Sequence, residues 1–494
     1  MKTNLLIWIF WIFSMNLFAQ PHFTWTPNLK DAYKKILALR FDEASALIAQ
    51  EKVRDKENRM VYHVENYVDF FSIYINEDKA EFNRLEKNKD ERLRKIEEGD
   101  SASPYYLYLQ ATTRLHWALA RLKFEEYSTA AFEVNKAFKL LTKNKEKFPD
   151  FMPNNKELGI LHAAVGTIPD NYRWMVELLS SLEGTFEQGK RELEEVMAYA
   201  KTTDFIYEEE TYALYCYLLL HLANEADQSW KIVNTGNLQP TKSLMATFVV
   251  ANIAMRTDRG DEAIQILKNR PSGAIYQPFH YLDYMLGLAK LQRLDKDADV
   301  YLKKFVNNFK GKNFIKDAYQ KLSWHALIFG NPSAYEQYKK LCQTKGDDLV
   351  ESDKSALKDA KSGEKPDVML LKARLLFDGG HFREAYNLLQ NQQPANFTTK
   401  KSQLEYTYRM GRIAHKLKKY PEALDAYQQT IDNGKNEDWY FACRAALEKG
   451  RIFEAQKDKK NAKAAYQLCL SIKPDEHKTG LHQQAKAAIN RING

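Results

Sequence analysis

Apolar positions along this chain recur at the three- and four-residue spacing of amphipathic helices, and small residues punctuate them on a longer period. The clearest unit is GRIAHKLKKYPEALDAYQQTI, from Gly411 to Ile431. It holds a small residue at Gly411, a second twelve positions later at Ala423, and an aromatic at Tyr427. The next unit repeats the spacing at Gly450, Ala462 and Tyr466, with Pro474 where a second helix should stop. Upstream, Ala373, Ala385 and Leu389 give the same arrangement, with Phe382 in the aromatic slot near the turn. Followed backwards, the second small residue falls at Gly189, Ala226, Ala263, Ala298, Ala334, Ala385, Ala423 and Ala462, in steps of 37, 37, 35, 36, 51, 38 and 39.

Such a ladder predicts antiparallel helix pairs, because only Gly or Ala lets two helix backbones approach where they cross. Neither helix of a pair buries its apolar face alone, so successive pairs must stack. An earlier unit is expected around Ala118, Ala130, Val134 and Ala137, with Trp117 and Tyr127 as packing aromatics. A weaker one is expected around Ala44, and a charge-rich helix over 78–98. The long step of 51 contains the polar stretch 344–366, which is expected to be an insert or linker. The plan is therefore all-α, a solenoid of helix pairs behind an irregular helical N-terminal region. Its expected parts are 20–165 (irregular), 166–343 (degenerate repeats), 344–366 (linker) and 367–494 (C-terminal repeats). Scarce breakers agree, with 20 Gly and 14 Pro in 494 residues.

The first nineteen residues break this pattern. Lys2 precedes an unbroken apolar run from Leu5 to Phe13, diluted by Ser14 and Asn16 before Ala19. The run is short for a membrane span and suits a secretory signal, so residues 1–19 are expected to be removed on export. The mature chain is then expected in a periplasm-like or cell-envelope space, with no integral membrane span. Net charge is +8, but acidic and basic residues are interleaved, as in DERLRKIEE at 90–98. That pattern marks solvated helix faces and argues against nucleic acid as partner.

The units at 367–475 resemble the tetratricopeptide repeat (TPR) family, and those at 175–340 resemble it less closely. Two stretches, 168–193 and 314–331, are similar to a eukaryotic TPR family associated with clearing inclusion bodies. The signal ending in Phe18, Ala19 and Gln20, with the Lys-rich helices, resembles exported TPR proteins of Bacteroidetes. The resemblance implies that positions 2, 5, 6, 9, 12 and 13 of each unit face a binding groove. Position 9 is Arg374, Arg412 and Arg451 in the last three units, joined by Arg409 at position 6 and Arg444 at position 2. Tyr408 at position 5 and Phe377 at position 12 offer apolar contacts beside them. An arginine ladder would suit an acidic peptide or a free C-terminal carboxylate, since the guanidinium presents a planar fork of donors. The bland alternative is pairing with Glu405, Glu448 or Glu454. In the same numbering Cys443 and Cys469 fall at positions 1 and 27, which antiparallel helices bring side by side. A disulfide there is geometrically conceivable in an oxidising compartment.

Signatures of catalysis are missing. No phosphate-binding glycine loop, GxSxG elbow or HExxH pair occurs, and the four cysteines form no CxxC. No catalytic residue, metal site or cofactor is therefore expected. His116 and His325 read as packing residues, Cys216 as a buried small hydrophobe, and Glu208 to Glu210 as the first turn of a helix. The expected role is a protein-interaction scaffold. The alternative is a ligand-binding N-terminal region with the repeats as a docking arm.

Overall fold

The computed structural model describes residues 20–166, 182–223, 225–235 and 237–493. The expected signal segment, residues 1–19, and the stretch 167–181 lie outside the described residues. The helices are, in chain order, α1 (Pro27–Leu37), α2 (Phe41–Arg54), α3 (Met60–Asn76), α4 (Lys79–Leu85), α5 (Lys87–Glu97), α6 (Tyr105–Leu122), α7 (Tyr127–Lys147) and α8 (Pro153–Gly166). They continue as α9 (Phe186–Ala200), α10 (Glu208–His221), α11 (Ala226–Val233), α12 (Leu244–Arg256), α13 (Gly260–Lys268), α14 (Tyr281–Gln292) and α15 (Ala298–Asn308). The rest are α16 (Ile315–Ile328), α17 (Pro332–Thr344), α18 (Glu351–Lys361), α19 (Val368–Asp378), α20 (Phe382–Leu389), α21 (Lys400–Lys416), α22 (Tyr420–Gly434), α23 (Phe441–Ala455), α24 (Lys459–Ser471) and α25 (Lys478–Asn493). Among the described residues there is no strand, only an isolated bridge between His22 and Asn58. The fold is all-α, a TPR-like solenoid of antiparallel helix pairs.

The chain divides into two compact units, Met1–Tyr74 with Ala80–Tyr207, and Ile75–Lys79 with Glu208–Gly494. In the first, α1 pairs with α2, α6 with α7 and α8 with α9, while α4 and α5 interrupt the regular alternation. Its centre is aromatic. The rings of Trp25, Tyr33, His63, Tyr67, Tyr108 and Tyr207 meet mostly edge to face at centroid distances of 5.1 to 6.3 Å. His63 bonds Tyr207 Oη through Nε2 at 3.1 Å. His116 stacks on Phe70 at 4.4 Å, and Asn66 bridges it to the Trp117 indole, so His116 packs as expected. Ala118, Ala130 and Ala137 are buried, but Tyr127 is 50% exposed and is not a packing aromatic. It is the first residue of its helix, at the end of the element rather than along its packed length.

In the second unit the ladder of small residues marks the second helix of every pair: Ala226, Ala263, Ala298, Ala334, Ala385, Ala423 and Ala462 lie in α11, α13, α15, α17, α20, α22 and α24. Five of these are fully buried; Ala226 is half-buried, and at Ala334 the register is offset so that Tyr335 takes the buried place. The first small residue has a distinct task. A Cβ added at Gly411 would stand 2.5 Å from the Tyr427 ring, and one at Gly450 would stand 2.5 Å from the Tyr466 ring. The aromatic of the second helix therefore packs on the bare backbone of the first.

The stretch 344–366, expected as an insert or linker, holds an 11-residue helix, α18, which packs on α16 and α17 as a third helix of their pair. The physical reason is a cap supplied from outside the helix. The residue before α16 is Phe314, left-handed at φ 64° and without a side-chain cap. Asp353 of α18, fully buried, accepts the backbone N–H groups of Phe314 at 2.6 Å and Asp317 at 2.8 Å. These are orphan donors of a helix start, and satisfying them draws the polar segment into the core.

Candidate functional site

The first helices of the last three pairs, α19, α21 and α23, pack in series. Their capping chemistry differs locally: Asp367 caps α19 through the N–H groups of Met369 and Leu370, and Thr399 with Ser402 forms a capping box at α21. The caps satisfy the first backbone donors of both helices, and the series brings Arg374, Arg409 and Arg412 to one place. Together with Phe377, Asp378, Tyr408 and Tyr440 they line a cavity of about 140 Å³. Arg374 also lines a larger neighbouring cavity of about 520 Å³, bounded by Trp324, Tyr335, Lys401, Glu405 and Trp439. The two cavities thus share one wall residue.

Of the arginines expected to face the groove, three converge here and two do not. Arg409 is held by Glu405 one turn earlier, through Nε at 2.7 Å. Arg374 lies over the Trp324 ring at 5.0 Å and has a long contact to Asp378 at 3.7 Å. Arg412 lies over the Phe377 ring at 4.5 Å and donates to Tyr408 Oη at 2.9 Å. Among the described residues it has no carboxylate within ion-pair distance. Burial disfavours its charge, yet the surrounding phenol oxygens and the Glu448 carboxylate raise its proton affinity above the ordinary arginine range. Tyr408 and Phe377, expected as apolar contacts, are nearly buried and form the floor that Arg412 lies on.

Arg444 and Arg451 turn the other way and share buried Glu448, at 2.7 and 3.0 Å. Arg451 also reaches Gln484 of α25 at 2.8 Å. The ladder therefore splits into a cavity-facing group and a group closed on its own acid. Burial opposes ionisation of Glu448, but Arg451, Arg444, Arg412 and His415 outweigh it and hold the carboxyl at about 2. Glu454 pairs with Arg491 at 2.8 Å. Cys443 and Cys469 are both fully buried free thiols, with their sulfurs 3.6 Å apart.

Sequence spacing missed Tyr440 and Trp439, which precede α23 and complete the cavity walls. They sit outside the repeat positions expected to face a groove. A signal was available, since the segment just before a first helix abuts the preceding pair.

Comparison with known proteins places one family on the chain: residues 444–476 match the Tetratricopeptide repeat. No curated protein matches it. Among solved structures it is similar to the APC/C hetero-tetramer Cut9–Hcn1, at 14% identity and a TM-score of 0.26, covering 92% of this chain and 95% of that one. It is also similar to yeast Tom70, at 14% identity and a TM-score of 0.23, covering 94% of this chain and 96% of that one. The segment that carries Arg444, Glu448 and Arg451 thus matches the tetratricopeptide repeat, within an all-α array of helix pairs.

Proposed function

We propose that the chain is a non-enzymatic protein-interaction module, and that its C-terminal pairs receive an acidic segment of a partner protein between Arg374, Arg409 and Arg412. One observation carries this reading: the Arg412 guanidinium, lying over the Phe377 and Tyr408 rings in a cavity, lacks a carboxylate within ion-pair distance among the described residues. A sunken cation of this kind favours an incoming anion, and its planar fork matches a carboxylate in two hydrogen bonds. Arg409 is already paired and Arg374 only loosely so, which makes Arg412 and Arg374 the groups that a ligand would engage. The adjoining cavity, with Trp324 and Trp439 in its wall, has room for apolar side chains flanking the acid. We further propose that the protein works outside the cytoplasm, in or near the cell envelope. This rests on Lys2, the run Leu5 to Phe13 and Ala19.

The test is affinity capture with in-cell crosslinking, comparing wild type with Arg374→Glu and with Arg412→Lys, after circular dichroism shows equal helicity. A small set of partners recovered by wild type and lost from Arg374→Glu supports the cavity as the site. Arg412→Lys keeps the charge and loses the fork, so a strong loss there indicates carboxylate recognition. Identical recoveries from all three proteins would remove the arginine cavity from the account.

A further inference from the structure

The N-terminal unit carries a charged surface that the arginine cavity does not involve. Helix α7 buries one acid and exposes its bases. Glu133, 3% exposed, lies between Lys89 at 2.6 Å and Arg114 at 2.7 Å, so the negative charge of the helix is spent inward. On the outer face Phe132, Lys136, Lys139 and Lys143 follow one another at steps of four, three and four residues. At 100° per residue they fall within one narrow stripe about 16 Å long. Phe132 is 63% exposed, and Lys136, Lys139 and Lys143 make no ion pair or hydrogen bond among the described residues. Within α7 the only exposed acid is Glu146, at the far end of the stripe. At the opposite end, where α6 turns into α7, Leu119 and Leu122 are each 43% exposed.

We infer that this stripe of α7 is a docking face for an anionic lipid surface. Lysines are depleted from protein–protein contacts and carry no geometry for a specific acid, whereas their flexible stems suit a diffuse layer of headgroup charge. An exposed phenylalanine beside evenly spaced, unpaired lysines is the composition of an interfacial helix face, with the ring entering the headgroup boundary and the ammonium groups staying in water.

The test is sedimentation of the full chain with vesicles of phosphatidylcholine alone or with added phosphatidylglycerol. The apolar run near the N-terminus and the remaining charge are the same in wild type and variants, so the difference between those proteins reads the stripe. Wild type is expected to prefer the anionic vesicles, and the preference should fade with added salt. Joint replacement Lys136→Gln, Lys139→Gln and Lys143→Gln should weaken anionic binding by about a hundredfold. Phe132→Ser, which leaves all charges in place, should weaken it by about tenfold. Equal binding to the two vesicle types overturns the inference, as does a triple variant that binds like wild type. Either result would leave an acidic protein surface as the occupant.

Discussion

Glycine in the middle of a helix ordinarily costs about 1 kcal/mol relative to alanine, yet Gly411 and Gly450 are where the pairs need it. The Tyr427 and Tyr466 rings occupy the space a methyl group would take. Gly411→Ala should therefore destabilise the chain by about 1–3 kcal/mol, the usual cost of overpacking, despite the gain in helix propensity. Urea unfolding of the variant checks the sign. Glu448 gives a second residue-scale expectation, in pH. Its carboxyl is held at about 2 in the folded chain, against about 4.3 when unfolded. The stabilisation it provides is complete above the unfolded value and is lost as pH falls from there through about 2. Glu448→Gln should lower stability by about 2–3 kcal/mol at pH 7, and the difference from wild type should shrink on acidification to pH 3. A constant difference would show that the charge is not what matters.

At the scale of elements, the turns inside eight of the pairs share one geometry. After α1, α6, α12, α14, α16, α19, α21 and α23 the chain passes through a left-handed residue: Leu39, Glu125, Asp258, Leu294, Gly330, Gly380, Lys418 and Lys457. The N–H that follows reaches back five residues to a helix carbonyl, as His381 does to Leu376 at 2.8 Å and Asp458 to Phe453 at 2.9 Å. This is the Schellman closure, in which glycine is favoured because it has no Cβ. Only two of the eight positions have glycine. Lys457→Gly should stabilise the last pair by about 1 kcal/mol, seen as a higher thermal midpoint. That scarcity also explains what the sequence hid. Helix pairing was legible from the buried alanines, but the stops between paired helices carried no residue cue. The helix within the insert or linker expected at 344–366 was hidden for a related reason. Its polar composition conceals a single aspartate that completes a helix start elsewhere. Asp353→Ala should cost about 1–3 kcal/mol through two orphaned N–H groups, and Asp353→Asn, which keeps one acceptor oxygen, should cost less. The arginine register was legible in part. Spacing identified the residues and offered pairing with Glu405, Glu448 or Glu454 as the alternative, but not which arginines would take it: Glu448, one turn from both Arg444 and Arg451, pairs with those two.

At the scale of the whole molecule, the two units carry different sensitivities. In the N-terminal unit His63 is fully buried, and burial together with nearby His116 and Lys156 pushes its proton affinity well below the usual histidine range. The unfolded chain takes up that proton below about pH 6.5 and the folded chain does not, so acidification from pH 7 to 5 should lower the stability of this unit. Hydrogen exchange at the two pH values should show faster opening of α3 and α6 at pH 5, and His63→Gln should flatten the difference. The C-terminal unit holds a different record of its surroundings. Cys443 and Cys469 have their sulfurs 3.6 Å apart inside one repeat, while Cys216 and Cys342 are each buried elsewhere. A chain matured in a reducing space gives four alkylated cysteines when denatured and labelled. One matured where thiols are oxidised should give two, at Cys216 and Cys342. Counting thiols on protein taken from cells would thus read out the compartment in which it folded.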